Sequence, residues 1–139
     1  MTDMTDMQDK KTLEALAGVP LFATCTKKQL KTVAAAGKRL KRREGTVIAK
    51  AGASGIALFV ILDGCVDVVR DGALIARLYP QDFMGEMALL SDEPRNADLI
   101  AVSDVELFTF TQWTFKSLVR TNPDIAYAVM KTIAARQST

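Results

Sequence analysis

The chain has 139 residues, 49% hydrophobic and 24% charged, with a net charge of +2. That length supports one domain burying about two thirds of its extended-chain surface, and so small a net charge argues for no particular partner. It has no histidine, and its two cysteines, Cys25 and Cys65, lie far apart. The commonest general base and metal ligand is therefore missing, and no zinc-type spacing exists.

Both cysteines are expected to be partly or wholly buried thiols in a reducing compartment, although spacing alone also permits one disulfide. The first residues are acidic and polar, unlike a signal peptide. No apolar run approaches the roughly 20 residues that span a bilayer. A cytoplasmic location without a transmembrane segment is the expectation. Residues 1–50 carry eleven Lys/Arg against five Asp/Glu, and residues 51–139 carry seven against eleven. The basic half therefore lies first.

In chain order, residues 1–8 repeat Met-Thr-Asp and are expected to fray. A short helix is predicted from Asp9 to Ala17, with Leu13 and Leu16 as its apolar side and Gly18 past its end. Pro20 biases Val19 out of the helical region, so Val19-Pro20-Leu21-Phe22 reads as extended, with Leu21 and Phe22 as core anchors. Thr26 caps a second helix over 27–36, with Leu30, Val33 and Ala34 on one face, and Gly37 ends it. Lys38-Arg39-Leu40-Lys41-Arg42-Arg43 places five charges in six residues. A nucleic-acid footprint is one reading. An edge strand whose charges discourage sheet-to-sheet pairing is the favoured one, since no aromatics are interleaved.

Beyond Glu44-Gly45 the pattern turns to strands: Thr46–Ala49, Ile56–Leu62, Cys65–Val69, Ala73–Tyr79, Ala97–Val102 and Glu106–Phe110. Asp71-Gly72 is a hairpin signal, because both residues tolerate positive φ. Short strands at eight-to-twelve-residue spacing predict a sandwich or jelly roll. No helical crossover of the kind a βαβ sheet needs fits between 45 and 111. Two helices close the chain. The first starts at Thr111 or Gln112 and runs through Trp113, Phe115, Leu118 and Val119. The second is capped by Asn122, with Pro123 at its first position and Asp124 in its first turn. Its apolar stripe is Ile125, Ala126, Val129, Met130 and Ile133, expected to fold over a barrel mouth or to meet a second subunit.

The stretch with chemical character is Phe83-Met84-Gly85-Glu86-Met87-Ala88-Leu89-Leu90, closed by Pro94-Arg95-Asn96-Ala97. A helix start offers unpaired N–H groups to an anion, and arginine offers a planar fork for phosphate oxygens. A carboxylate cannot serve a phosphate, so Glu86 suits sugar hydroxyls instead. Residue types alone leave two readings open: a site for a phosphate joined to a hydroxyl-bearing group, or a Glu86–Arg95 ion pair that holds a loop.

These motifs together resemble the cyclic-nucleotide-binding domain of catabolite-activator-like regulators, kinase regulatory subunits and cyclic-nucleotide-gated channels. The resemblance covers residues 19–136. It rests on Pro20-Leu21-Phe22, Gly45-Thr46-Val47-Ile48, Leu62-Asp63-Gly64-Cys65-Val66, the 83–97 signature and Asn122-Pro123-Asp124. It implies a mainly β fold, a double-stranded β-helix or jelly-roll barrel with N-terminal and C-terminal helices. Residues 1–18 would be an extension and 19–139 the binding domain, with the barrel at 38–111 and the helices at 112–136.

The resemblance also assigns roles. Gly85, Glu86 and Met87 would open the phosphate-binding turn, Glu86 accepting a ribose hydroxyl. Arg95 would pair with the cyclic phosphate. Asn96 stands where Ser or Thr is usual, its amide still a donor, and Ala97 would add a backbone N–H. Leu74 and Ile75 would wall the sugar or base. Strand alternation puts Asp98 on the same face as Asn96, so one of the two must look away from the pocket. Gly52-Ala53, where relatives carry Gly-Asp or Gly-Glu, is expected to alter loop packing.

The function implied is a ligand sensor, not an enzyme: it binds cAMP in preference to cGMP and regulates an attached or partner effector through its last helix. That helix would also permit a homodimer. No cofactor or metal, and no DNA-binding domain in this chain, are expected. The absence of histidine and of a nucleophile elbow agrees with a non-catalytic role. The alternative is a degenerate domain of the same type, used for protein interaction or dimerisation.

Overall fold

The computed structural model describes residues 4–52, 57–86, 89–90 and 96–137, without the side chains of 4–8 and 136–137. It begins with helix α1 (Met4–Ala17), a 3-10 turn (Pro20–Phe22) and α2 (Lys27–Ala36). Eight strands follow: β1 (Lys38–Arg42), β2 (Val47–Ala49), β3 (Ala57–Asp63), β4 (Val66–Arg70), β5 (Ala73–Leu78), β6 (Phe83–Met84), β7 (Asp98–Ala101) and β8 (Val105–Thr111). Helices α3 (Gln112–Thr121) and α4 (Pro123–Gln137) complete the described chain. No described helix is long and apolar enough to cross a membrane.

The strands form two antiparallel four-stranded sheets, in the orders β1-β8-β3-β6 and β2-β7-β4-β5. Six consecutive residues of β3 are buried, because both of its faces are covered. Leu58, Val60 and Leu62 join a core with the helices, as do Phe108 and Phe110 of β8. The alternate residues Ala57, Phe59, Ile61, Val105 and Leu107 pack instead on Val66, Val68, Ala97, Leu99 and Ala101 of the second sheet side. The order of layers is therefore helices, first sheet, second sheet, and the period-two alternation of a strand produces it.

This corrects the expected mainly β, barrel-like fold. Helices α1 to α4 span 14, 10, 10 and 15 residues, more than the strands together, so the fold is mixed α/β. Among the described residues no ladder joins the two sheets, and neither is closed into a barrel. Apolar alternation reports which face of a strand is covered. It does not report which edges pair, and closure depends on the edges.

The helical layer is held by specific contacts. Val19 is extended, as Pro20 requires, but Pro20–Phe22 turns into the 3-10 element where extended backbone was expected. Leu21 and Phe22 are buried as anchors. Phe110 is the hub of the aromatic packing, with ring centroids 6.1 Å from Phe22, 5.8 Å from Phe108 and 6.1 Å from Phe115. Helix α1 starts earlier than the expected Asp9, and its Ala15 and Leu16 enter the same core.

Thr26 caps α2 in a full capping box with Gln29. The Gln29 amide nitrogen also donates to Asp124 Oδ2 at 3.0 Å, tying α2 to the first turn of α4. That bond holds the Asp124 carboxyl below its ordinary range. The Asn122 side chain serves the preceding helix, donating to the Leu118 carbonyl at 2.9 Å, while its own carbonyl accepts from Ile125 and Ala126.

Helix α4 lies against the 3-10 turn and α3, not over a barrel mouth. Thr24 Oγ1 donates to the Ala128 carbonyl at 2.6 Å and lies 3.1 Å from Thr132 Oγ1. The buried stripe is consequently Ile125, Ala128, Val129 and Thr132, and Met130 faces solvent. Trp113 is likewise exposed on α3. Cys25 and Cys65 are free and half-buried; burial, then the nearby Asp124 charge, pushes the Cys25 thiol up.

The basic run forms β1, an edge strand with its charges exposed. Asp71 and Gly72 take φ of 52° and 79°, closing the β4–β5 hairpin. Arg77 clips that hairpin by two bonds to Asp67, Nε to Oδ1 at 2.6 Å and Nη2 to Oδ2 at 3.2 Å. The Asp67 carboxyl is held below its usual range, first by this hydrogen bond.

Two expected outcomes follow from this packing. Phe22→Ala should cost roughly 3–5 kcal/mol of unfolding free energy in urea titration, as for other buried aromatics; a loss below about 1 kcal/mol would contradict the hub. The folded Asp67 carboxyl titrates below its unfolded value. The clip's contribution is therefore fully present above the unfolded value and is lost as pH falls through the folded one. Wild type should exceed Asp67→Asn in melting temperature at neutral pH, and the gap should close in acid. A gap that persists there would refute the assignment.

Candidate functional site

The 83–90 stretch is suspended from β3. β6 pairs Phe83 with Val60 and Met84 with Phe59. Gln81, at φ 77°, donates its N–H to the Ile61 carbonyl at 2.8 Å, and Ile61 N–H donates to Asp82 at 2.9 Å. Phe83 packs on the helical core and Met84 on the core between the sheets.

Gly85 comes next, with φ of 90°. A Cβ there would collide with the Ala57 carbonyl oxygen. Glycine is required on two counts: the left-handed backbone, and the close approach of this loop to β3. The chain then turns, with Leu89 N–H on the Glu86 carbonyl at 3.3 Å. Glu86 is 6% exposed, so the acid is set into the protein and not waving from a solvated loop. Leu89 is 2% exposed and belongs to the helical core.

Met87 and Arg95 lie outside the described residues, so the Glu86–Arg95 relation is not part of the described geometry. Asn96 is exposed, and its carbonyl accepts from Arg70 Nε at 3.2 Å. Ala97 is fully buried between the sheets. Asp98 is engaged elsewhere: its Oδ1 accepts from Ala51 N–H at 2.7 Å. Of the two polar residues sharing a strand face, Asp98 is thus the one spent on the 50–52 loop. Ala53 lies outside the described residues.

Leu74 and Ile75 are 59% and 47% exposed on β5, the free edge of the second sheet. The Asp67–Arg77 clip holds that strand in place.

Sequence reasoning passed over Arg70. The Asp71-Gly72 turn carried the signal: it fixes the hairpin register, and β4 pairs Val69 with Asp98. Arg70 is thereby brought to the end of the sheet where Asn96 sits. Reasoning from sequence also missed Thr24, whose role depends on where α4 docks.

Among the described residues no group of three or more His, Cys, Asp or Glu side chains is placed to hold a metal. A left-handed glycine on a strand carbonyl, a recessed acid and the exposed Asn96 ahead of β7 offer hydrogen bonds and shape to a ligand. They do not include a nucleophile with its base.

The cyclic nucleotide-binding domain family matches residues 39–122. A cyclic nucleotide-gated potassium channel of Mesorhizobium japonicum is 32% identical over 89% of this chain and 34% of its own length. The chain thus spans about a third of the first curated relatives it matches. Among solved structures, the N-terminal domain of a transcriptional regulator from Streptomyces coelicolor has a TM-score of 0.81 at 26% identity, covering 89% of this chain and 92% of that one. The regulatory domain of Toxoplasma gondii PKA, solved with cAMP, has a TM-score of 0.73 at 27% identity over 85% of this chain and 46% of that one. The match spans more than half of the chain and includes the whole 83–97 signature: this chain belongs to the cyclic nucleotide-binding domain family.

Proposed function

We propose that the domain binds cAMP in preference to cGMP and passes the binding signal to an effector through its helical layer. The observation that carries this reading is the Gly85–Glu86 step: a left-handed glycine pressed on a strand, followed by a recessed carboxylate, in a chain of this family. Arg95 pairs with the cyclic phosphate, and the amides of Gly85 to Met87 add hydrogen bonds. Glu86 accepts a ribose hydroxyl. Asn96 and the Ala97 N–H complete the phosphate end, and Leu74 and Ile75 cover the sugar or base from β5. Asn96 in place of Thr favours cAMP, because a Thr there helps relatives hold the guanine amino group. Residues 19–139 form the binding unit, with 1–18 as an extension.

The output runs through Leu89. It leaves the ligand turn and enters the core that contains Phe110, Phe115, Ile125 and Val129. Ligand that pulls the turn inward therefore changes what α3 and α4 pack against. Ligand can move the equilibrium between two α4 arrangements only by as much as its affinities for them differ. The exposed Tyr127 and Met130 on α4 suit that helix to contact an effector or a second copy. The chain's partial coverage of its channel relatives fits a regulatory piece joined to, or meeting, another unit.

Isothermal titration with cAMP, cGMP and linear AMP tests the reading. The expected order is cAMP over cGMP over AMP, with Arg95→Ala losing roughly 2–5 kcal/mol of cAMP affinity as an unpaired buried charge would. Undiminished affinity in Arg95→Ala would overturn the phosphate assignment. No heat with any cyclic nucleotide would overturn the function.

A further inference from the structure

We propose that the groove between α1, α2 and β1 docks an acidic amphipathic segment of a partner protein. It lies in the helical layer and against β1, and the proposal does not depend on nucleotide binding. A cavity of about 750 Å³ is floored by Leu13, Ala34, Leu40 and Phe108. It runs on along α1 and α2 into a second hollow of about 670 Å³ that reaches Leu30 and shares Asp9, Leu13 and Lys31 with the first. At one end Gly37 has no side chain; a Cβ there would collide with the Phe108 ring, so glycine lets that ring form the groove's end.

The rim is basic. Lys10, Lys27, Lys31, Lys38 and Arg39 line the two hollows against Asp9 and Glu14. Asp9 is engaged by Arg39, 3.6 Å away. The four lysines make no ion pair among the described residues. The run Lys41-Arg42-Arg43 continues along exposed β1 and past its end, where it shares a hollow with Asp63, Asp104 and Glu106, so the unbalanced positive charge is that of the groove's four lysines.

An apolar floor with a cationic rim complements a segment that has an apolar stripe flanked by carboxylates. The stripe leaves water, and the carboxylates meet lysines across the rim. A nucleic acid would use the rim but not the floor, and the exposed aromatics that could stack bases, Tyr79, Trp113 and Tyr127, stand on other elements. A lipid surface is convex or flat where this surface is a trough.

Fluorescence anisotropy on the whole chain tests this. The probe is a labelled synthetic helical peptide with a leucine stripe and a glutamate face. Comparators are a scrambled peptide of the same composition, a single-stranded RNA and phosphatidylserine vesicles. The patterned peptide is expected to bind about tenfold or more tighter than the scrambled one, a difference of about 1.4 kcal/mol, and to weaken with salt. Lys31→Glu with Lys38→Glu, and separately Ala35→Trp to fill the groove, should each weaken it by about tenfold or more. All three positions are exposed, and circular dichroism confirms that the variants fold. Equal binding of the scrambled peptide, wild-type binding by both variants, or tighter binding of RNA or vesicles would overturn the proposal. cAMP titration of the same variants separates this outcome from the fate of the nucleotide reading.

Discussion

Burial of β3 and β8 on both faces is the constraint on which the rest of the structure depends. Each strand gives alternate residues to two different cores, one shared with the helices and one shared with the second sheet. The helical layer cannot move against the first sheet without disturbing Phe108 and Phe110. The second sheet cannot move without disturbing Phe59, Ile61 and Leu107. The six buried residues of β3 are all apolar and leave no polar side chain unpaired, and the strand pairs with β8 and β6.

The candidate ligand stretch is attached at the junction of these two cores. Its entrance is divided, Phe83 toward the helices and Met84 toward the sheets; further on, Leu89 returns to the helical core and Ala97 to the sheet core. A molecule that draws the turn between them together acts on both layers at once. The sheet side is stiffened by the Asp67–Arg77 clip and the Asp98–Ala51 bond. The helical side is joined by ties that reach across the sequence, Thr24 to Ala128 and Gln29 to Asp124.

Much of this was legible from residue types acting locally. The Thr26 cap, the Asp71-Gly72 turn, the edge position of the basic run and the core roles of Leu21 and Phe22 all follow from short-range chemistry, and the structure contains them. Other features depended on long-range placement. Pro20–Phe22 reads as extended from Pro20 alone but is turned by packing under α4. The expected apolar stripe sets Ala126 and Met130 with Ile125, yet they stand one and five positions from it; the positions three, four and seven on, Ala128, Val129 and Thr132, are the buried ones, beside the Thr24 bonds. Sheet closure was misjudged because alternation carries no information about edges. In the candidate site, Gly85 and Glu86 stand out by type and order, and the structure gives them a left-handed backbone and a buried carboxylate. The engagement of Asp98 by Ala51 does not stand out, because its partner lies 47 positions away.

The central claim is that ligand at the 83–97 stretch is felt in the helical layer through Leu89. Methyl NMR of Ile125 and Val129, recorded with and without saturating cAMP, tests it most directly when wild type is compared with Leu89→Ala. The account requires both methyl groups to shift in wild type on adding cAMP, and the shifts to collapse in Leu89→Ala while cAMP still binds. Unmoved methyls in ligand-saturated wild type, or equal shifts in the variant, would contradict it.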